Sequence, residues 1–402
     1  MLFRGKNKIL LSQESFTLAE MLVVVGILVI LLSATVLLIN PVEYFKQSRD
    51  VQRMSDLKNL QTAVERYKYS GNRISPISPL GSVNTIYTSL FDGLSSTCSS
   101  MGLPLLASGW SYHCVTSQAS LQKIDGTGWI PVDLSNLGLI SSLPIDPTNS
   151  VSANLYYSYM VNSSGSMELT ATLESQKKLK DSALIDSGTD PAKYETGETL
   201  ALWTQASGLA GYWPFNEGTG TTANDTSGNG RTCSGSINWG SGKMGTAITV
   251  PNYIACTTPS VITGAITYMA WVNSSSANGD IIGFMNYLPT WGYSMILLNS
   301  SPCLFFQDSG LTWRNVCGPV ISNPLNQWHL VAVTNNGANT VFYLDGNMSQ
   351  SISNPYTAGS SNNTTYVGLA GWYVFNGKID DLRMYNRVLT ATEIQNIYTA
   401  TK

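Results

Sequence analysis

Apolar residues fall along this chain in three patterns, and each predicts a different kind of structure. From Met21 to Leu38 they are almost unbroken. As a helix rising about 1.5 Å per residue, that run is long enough to cross a bilayer core. Val51, Met54, Leu57, Leu60, Val64 and Tyr67 then recur at spacings of three and four, which predicts an amphipathic helix. Arg49, Arg53, Asp56, Lys58 and Arg66 fall on its opposite face, Pro41 can bend the helix, and Gly71 stops it. The two patterns together predict helix over 16–71, roughly 80 Å long if unbroken, with residues 16–39 in the membrane.

Residues 72–200 read as a small head in which secondary structure is sparse. Pro76, Pro79 and Gly81 make a turn-rich entry, and a short helical pattern lies near 134–140. Two strands are predicted at 155–161 and 167–173, joined by a hairpin loop at 162–166. Residues 174–200 read as a polar tail, and 201–207 as a linker. From 208 to 402 short apolar runs alternate with Gly, Asn and Ser. Strands are predicted at 265–272, 280–284, 293–298, 328–334, 340–344, 366–369 and 378–385, a spacing that implies a two-sheet sandwich. Asp345-Gly346 is a hairpin turn signal, and Thr390 with Glu393 has capping-box spacing for a terminal helix.

The chain has 402 residues, room for two or three domains. A net charge of −3 with 12% charged residues argues against nucleic-acid binding, which needs a basic stripe. No second membrane-length run follows, so everything after about Asn40 is expected beyond the membrane. Cys98 and Cys114 lie in the head, and Cys233, Cys256, Cys303 and Cys317 in the last third. Even numbers in each region suit pairing in an oxidising exterior. The sequence-nearest pairing is favoured, with three arrangements open for the last four. There is no C-x-x-C, and the only histidines are His113 and His329, which argues against zinc.

Arg4, Lys6 and Lys8 followed by Ser15-Phe16-Thr17-Leu18-Ala19-Glu20 and the apolar run resemble the class III signal of type IV prepilins and pseudopilins. The resemblance implies a leader over 1–15, cut by a prepilin peptidase between Ser15 and Phe16. Phe16 would become an N-methylated first residue, and the Glu20 carboxylate would pair with the N-terminal amine of a neighbouring pilin subunit. Ser15 stands where the family usually has Gly. The physics agrees on Glu20, since a carboxylate in lipid is costly without a partner. Leu143-Pro144-Ile145-Asp146-Pro147, the tyrosine-rich strand and Glu168-Leu169-Thr170-Ala171 are similar to a pilin head over 72–200.

The last third resembles laminin-G-like, concanavalin A-like jelly rolls. The strings that carry this are Gly-Tyr-Trp-Pro-Phe-Asn-Glu-Gly at 211–218, Asp225 to Gly230, the strand from Trp328, Tyr343 to Gly346, and 375–387. The implied class is α+β: a long pilin helix with a small α/β head, followed by an all-β sandwich over 208–402.

Glycosidases on such sandwiches need two carboxylates facing one sugar bond. Acids after residue 200 are scattered, and Asp380 and Asp381, adjacent on a strand, are expected on opposite faces. His329 reads as packed in an apolar strand. No enzyme is read here and no cofactor is required. Asp225, Asn229 and Asp380 offer oxygens for a structural calcium, and equally serve as turn residues. Tyr287, Trp291, Trp313 and Trp372 sit in loop-like surroundings as candidates for stacking a sugar, with a core or rim role as the alternative. The expected function is a minor-pilin-like filament subunit at the cell surface, displaying a lectin-like domain to glycans or surface proteins. The alternative is a pseudopilin of a type II secretion or DNA-uptake machine, with a cargo-binding sandwich.

Overall fold

The computed structural model describes residues 17–39, 41–69, 80–183, 186, 188, 190, 192–249, 253–257, 264–284, 293–308, 312–354, 364–369 and 373–402. The first elements among the described residues are two helices, α1 (Leu18–Ile39) and α2 (Pro41–Tyr69). Pro41 occupies the first position of α2, where its missing N–H leaves nothing unpaired. Side chains of α1 are described to Leu31, and all of them are exposed. Among the residues so described, no helix is long and apolar enough to cross a membrane.

α2 packs on a sheet of five strands, β1 (Thr85–Phe91), β2 (Ser111–Val115), β3 (Tyr157–Val161), β4 (Met167–Thr172) and β5 (Lys193–Gly197). Their order is β2-β1-β3-β4-β5, with β1 and β2 parallel and the other pairs antiparallel. The head is therefore richer in structure than its sequence suggests. Leu57, Leu60 and Val64 meet Trp129, Tyr157 and Leu169 in its core. The expected polar face of α2 is wrong at Arg53, which is wholly buried. Its guanidinium bonds Asp146 at 2.6 and 2.9 Å, Asp50 at 2.8 Å and Glu174 at 2.6 Å, so three carboxylates replace the water it gives up.

After a short turn, α3 (Gln176–Lys178), the segment expected as a linker forms α4 (Leu202–Ser207). Leu202, Trp203 and Ala206 pack with Ile86 and Met160 on the face of the sheet opposite α2. Ala201, at the start of α4, has no side-chain cap to give. Glu168 of β4 replaces it, accepting the N–H groups of Leu202 and Trp203 at 2.6 and 3.0 Å.

The rest is a sandwich. Its first eight strands are β6 (Leu209–Trp213), β7 (Thr222–Ala223), β8 (Cys233–Gly235), β9 (Asn238–Ser241), β10 (Thr246–Thr249), β11 (Ile254–Cys256), β12 (Ile266–Ser274) and β13 (Gly279–Phe284). The second eight are β14 (Ser294–Leu298), β15 (Ser301–Gln307), β16 (Trp313–Cys317), β17 (His329–Asn335), β18 (Asn339–Leu344), β19 (Asn347–Ser353), β20 (Thr365–Val367) and β21 (Gly377–Tyr385). One sheet runs β19-β18-β17-β12-β21-β10-β9, with β6 also on β21; the other runs β16-β15-β14-β13-β20-β11-β8-β7. Trp213, Tyr268, Phe306 and Leu382 belong to the core between them. Asp345 and Gly346 both take positive φ, 49° and 78°, the mirror-image turn that suits the twist of β18 and β19.

The terminal helix α5 (Ala391–Thr401) begins with a capping box between Thr390 and Glu393. It covers the outer face of the first sheet. Trp271 stacks on Tyr398 at 5.7 Å and donates its indole N–H to Thr401 Oγ1 at 2.9 Å. Disulfides join Cys98 to Cys114, Cys233 to Cys256 and Cys303 to Cys317, the sequence-nearest arrangement. The last two link residues that stand opposite each other on neighbouring strands.

Candidate functional site

Ser15 and Phe16 lie outside the described residues. Glu20 is described, and its carboxylate accepts both the backbone N–H and the hydroxyl of Thr17 at 2.9 Å. Thr17 Oγ1 in turn accepts the N–H of Glu20 at 3.3 Å. This reciprocal pair is a capping box, so Glu20 closes the first turn of α1 within a single chain.

In the sandwich, Asp225 accepts backbone N–H groups from Tyr212, Ser227 and Arg231 at 2.8–3.0 Å. Asn229 donates to the Leu209 carbonyl and the Ser227 hydroxyl. Both side chains organise a turn, and a cation at Asp225 would have to displace N–H donors that point at the same oxygens. Asp380 holds a different loop, accepting the N–H groups of Lys243 and Met244 at 2.8 and 2.9 Å. Burial pushes its carboxyl up to about 8. Among the described residues, no three His, Cys, Asp or Glu side chains cluster closely enough to hold a metal ion.

The expectation that Asp380 and Asp381 face opposite ways is overturned. Ile379 and Leu382 both point into the core, which leaves the two acids between them on the outer side. Asp381 takes φ 49° where the register of β12 and β21 shifts, so one extra residue is accommodated there. Asp381 pairs with Arg383 at 2.8 Å, and that guanidinium lies 4.0 Å over the Tyr212 ring. Both acids are fully buried; Asp381 is held by Arg383, whereas Asp380 uses only Oδ2 and its Oδ1 is buried without a hydrogen-bond partner among the described residues. His329 sits at the start of β17 rather than deep in the core. Its Nδ1 lies 2.9 Å from Asp345 Oδ2 and its Nε2 3.3 Å from the Asn323 carbonyl, so the ring ties two loops together.

Of the aromatic candidates, Tyr287, Trp291 and Trp372 lie outside the described residues. Trp313 stands on edge strand β16 opposite Gln307, 43% exposed. The sequence reading passed over Tyr253 and Tyr366, which meet edge to face at 5.1 Å on the second sheet. Their alternation with Ile254 and Val367, which face the core, was the available signal.

The sequence profile of the concanavalin A-like lectin/glucanases superfamily matches residues 245–395, from the start of β10 into α5. This stretch is a concanavalin A-like jelly-roll domain of the laminin-G type. Among solved structures, the binding domain of Paraclostridial Mosquitocidal Protein 1 is similar at 16% identity and a TM-score of 0.40, over 48% of this chain and 52% of that one. The botulinum neurotoxin serotype G binding domain matches at 17% identity and 0.39, over 47% and 50%. Domain 4 of AbnA, an extracellular arabinanase from Geobacillus stearothermophilus, in complex with arabinotriose, matches at 19% and 0.38, over 47% and 97%. The chain spans about half the length of the toxin binding domains that it matches. No curated protein matches it.

Proposed function

We propose that this chain is a type IV pilin-like filament subunit, held in the membrane before assembly, that displays its sandwich to glycans or proteins at a cell surface. The observation that carries the reading is Glu20 in the first turn of a helix whose apolar side chains, as described to Leu31, are all exposed. Such a helix needs lipid or sibling helices around it. Its acid, closed onto Thr17 in one chain, is free to exchange that partner for a neighbouring amine. The arrangement behind it, α2 laid on a five-stranded sheet, supports a pilin-like head. The role is read as binding rather than catalysis, because Asp225, Asp380 and Asp381 serve loop N–H groups and Arg383 instead of facing one another across an open cleft. Co-expression with a prepilin peptidase tests the reading: mass spectrometry should find residues 1–15 removed, and Glu20→Ala should abolish filaments while leaving the head and sandwich folded. An intact leader, or normal filaments from Glu20→Ala, would count against it.

A further inference from the structure

We propose that the glycan-contacting surface of the sandwich is the open end of its second sheet, around Tyr253 and Tyr366, and that it takes a neutral saccharide; this rests on the lectin-like reading above. The first sheet is closed on its outer side, where Trp271, Tyr343 and Tyr385 are buried with Ile394 and Ile397 of α5. On the second sheet the register sets Thr222, Ser234, Ala255, Tyr366 and Gly283 side by side in one row across β7, β8, β11, β20 and β13. Their chain neighbours Ala223, Cys233, Ile254, Val367 and Ile282 belong to the core, so the row faces outward.

Thr222 and Ser234 are exposed, and Ala255 and Tyr366 half-buried. Tyr253 rises beside them, 43% exposed, its ring 5.1 Å from that of Tyr366 and at 82° to it. Two rings at a right angle beside a floor of small side chains form a corner. The C–H face of a pyranose or furanose packs on a ring there, while its hydroxyls meet those of Ser234 and Thr222. The row carries no charged side chain, which suits an uncharged ligand and gives nothing to hold an anionic one. Two rings and two hydroxyls also fall far short of the roughly 800 Å² per partner of a stable protein interface.

The test titrates the detergent-solubilised full chain with neutral gluco-, manno-, galacto- and arabino-oligosaccharides. Tyr253→Ala and Tyr366→Ala should bind at least about tenfold more weakly than wild type, a loss of about 1.4 kcal/mol. Ser234→Lys should do the same by filling the floor, and because Ser234 is exposed it reads the site even if a tyrosine variant misfolds. Met348→Ala, 62% exposed on β19 of the other sheet, should bind as wild type. Wild-type binding that survives all three site variants within twofold would overturn the site and leave the lectin reading standing. Failure of the wild-type chain to bind any of these sugars would overturn both, and selective binding of acidic glycans would overturn the neutral-ligand assignment.

Discussion

Glu168 on β4 and Glu195 on the neighbouring strand β5 are both buried beneath α4, where a charge on Glu168 makes Glu195 harder to ionise. Two carboxyls so placed out of water cannot both ionise without the cost of burial and of like-charge repulsion. Lys193 is also buried here, its ammonium 4.2 Å over the Trp203 ring and 3.0 Å from Thr172 Oγ1, and Asp186 and Asp190 lie near Glu195.

That pair makes stability depend on pH. Burial raises Glu168 from 4.5 to about 7, and burial with the Glu168 charge pushes Glu195 up as well. Between about pH 4.5 and 7 the folded chain holds more protons than the unfolded one, so stability falls as pH rises. Asp186, raised by burial to about 6, and Asp380, raised to about 8, act with the same sign. Thermal melts should show a lower Tm at pH 8 than at pH 5, by roughly 1–3 kcal/mol of stability. Glu195→Gln, which carries no charge at any pH, should flatten part of that slope. An unchanged slope in the variant would show that the pair does not set it.

Arg53 holds three acids from separate parts of the head. Burial opposes ionisation of Glu174, but hydrogen bonds from Arg49 and Arg53 hold it down at about 2. Arg53→Ala should cost about 3–5 kcal/mol, because it strands buried carboxylates. Urea unfolding of the variant measures this, and a loss below 1 kcal/mol would mean that water replaces the guanidinium freely.

Arg387 ties the sandwich to the end of α4. It bonds Glu393 at 2.6 and 3.1 Å and donates Nε–H to the Ser207 carbonyl. Arg387→Ala should lose about 1–3 kcal/mol and speed proteolytic cleavage near Ser207 and Gly208. Limited proteolysis with mass spectrometry reads the site, and an unaltered cleavage rate there would contradict the clamp.

Cys233→Ala with Cys256→Ala should cost about 2–4 kcal/mol, and reductant should lower the Tm of wild type but shift the variant less. Non-reducing peptide maps should recover only the three linked pairs seen here.

The sandwich strands were legible because core-facing residues alternate with outward ones and Gly or Asn marks the turns, as in β12, β17 and β21. The head was harder. β5 carries Lys193 and Glu195 and reads as a polar tail, because nothing in the sequence says that Glu168, Trp203 and Thr172 will close over those charges. Arg53 misled for the same reason, its three partners lying at or near positions 50, 146 and 174. The shared side of Asp380 and Asp381 depended on a backbone bulge, which strict alternation cannot foresee. Tyr253 and Tyr366 are more than a hundred residues apart, and only strand pairing brings their rings together.

α4 has a mechanical consequence. Its first turn is gripped by Glu168 and its last residue passes within two positions into β6. A load on the sandwich therefore reaches the five-stranded sheet through seated helix and strand, with no slack cord to take up first. The sandwich keeps the orientation that the sheet gives it.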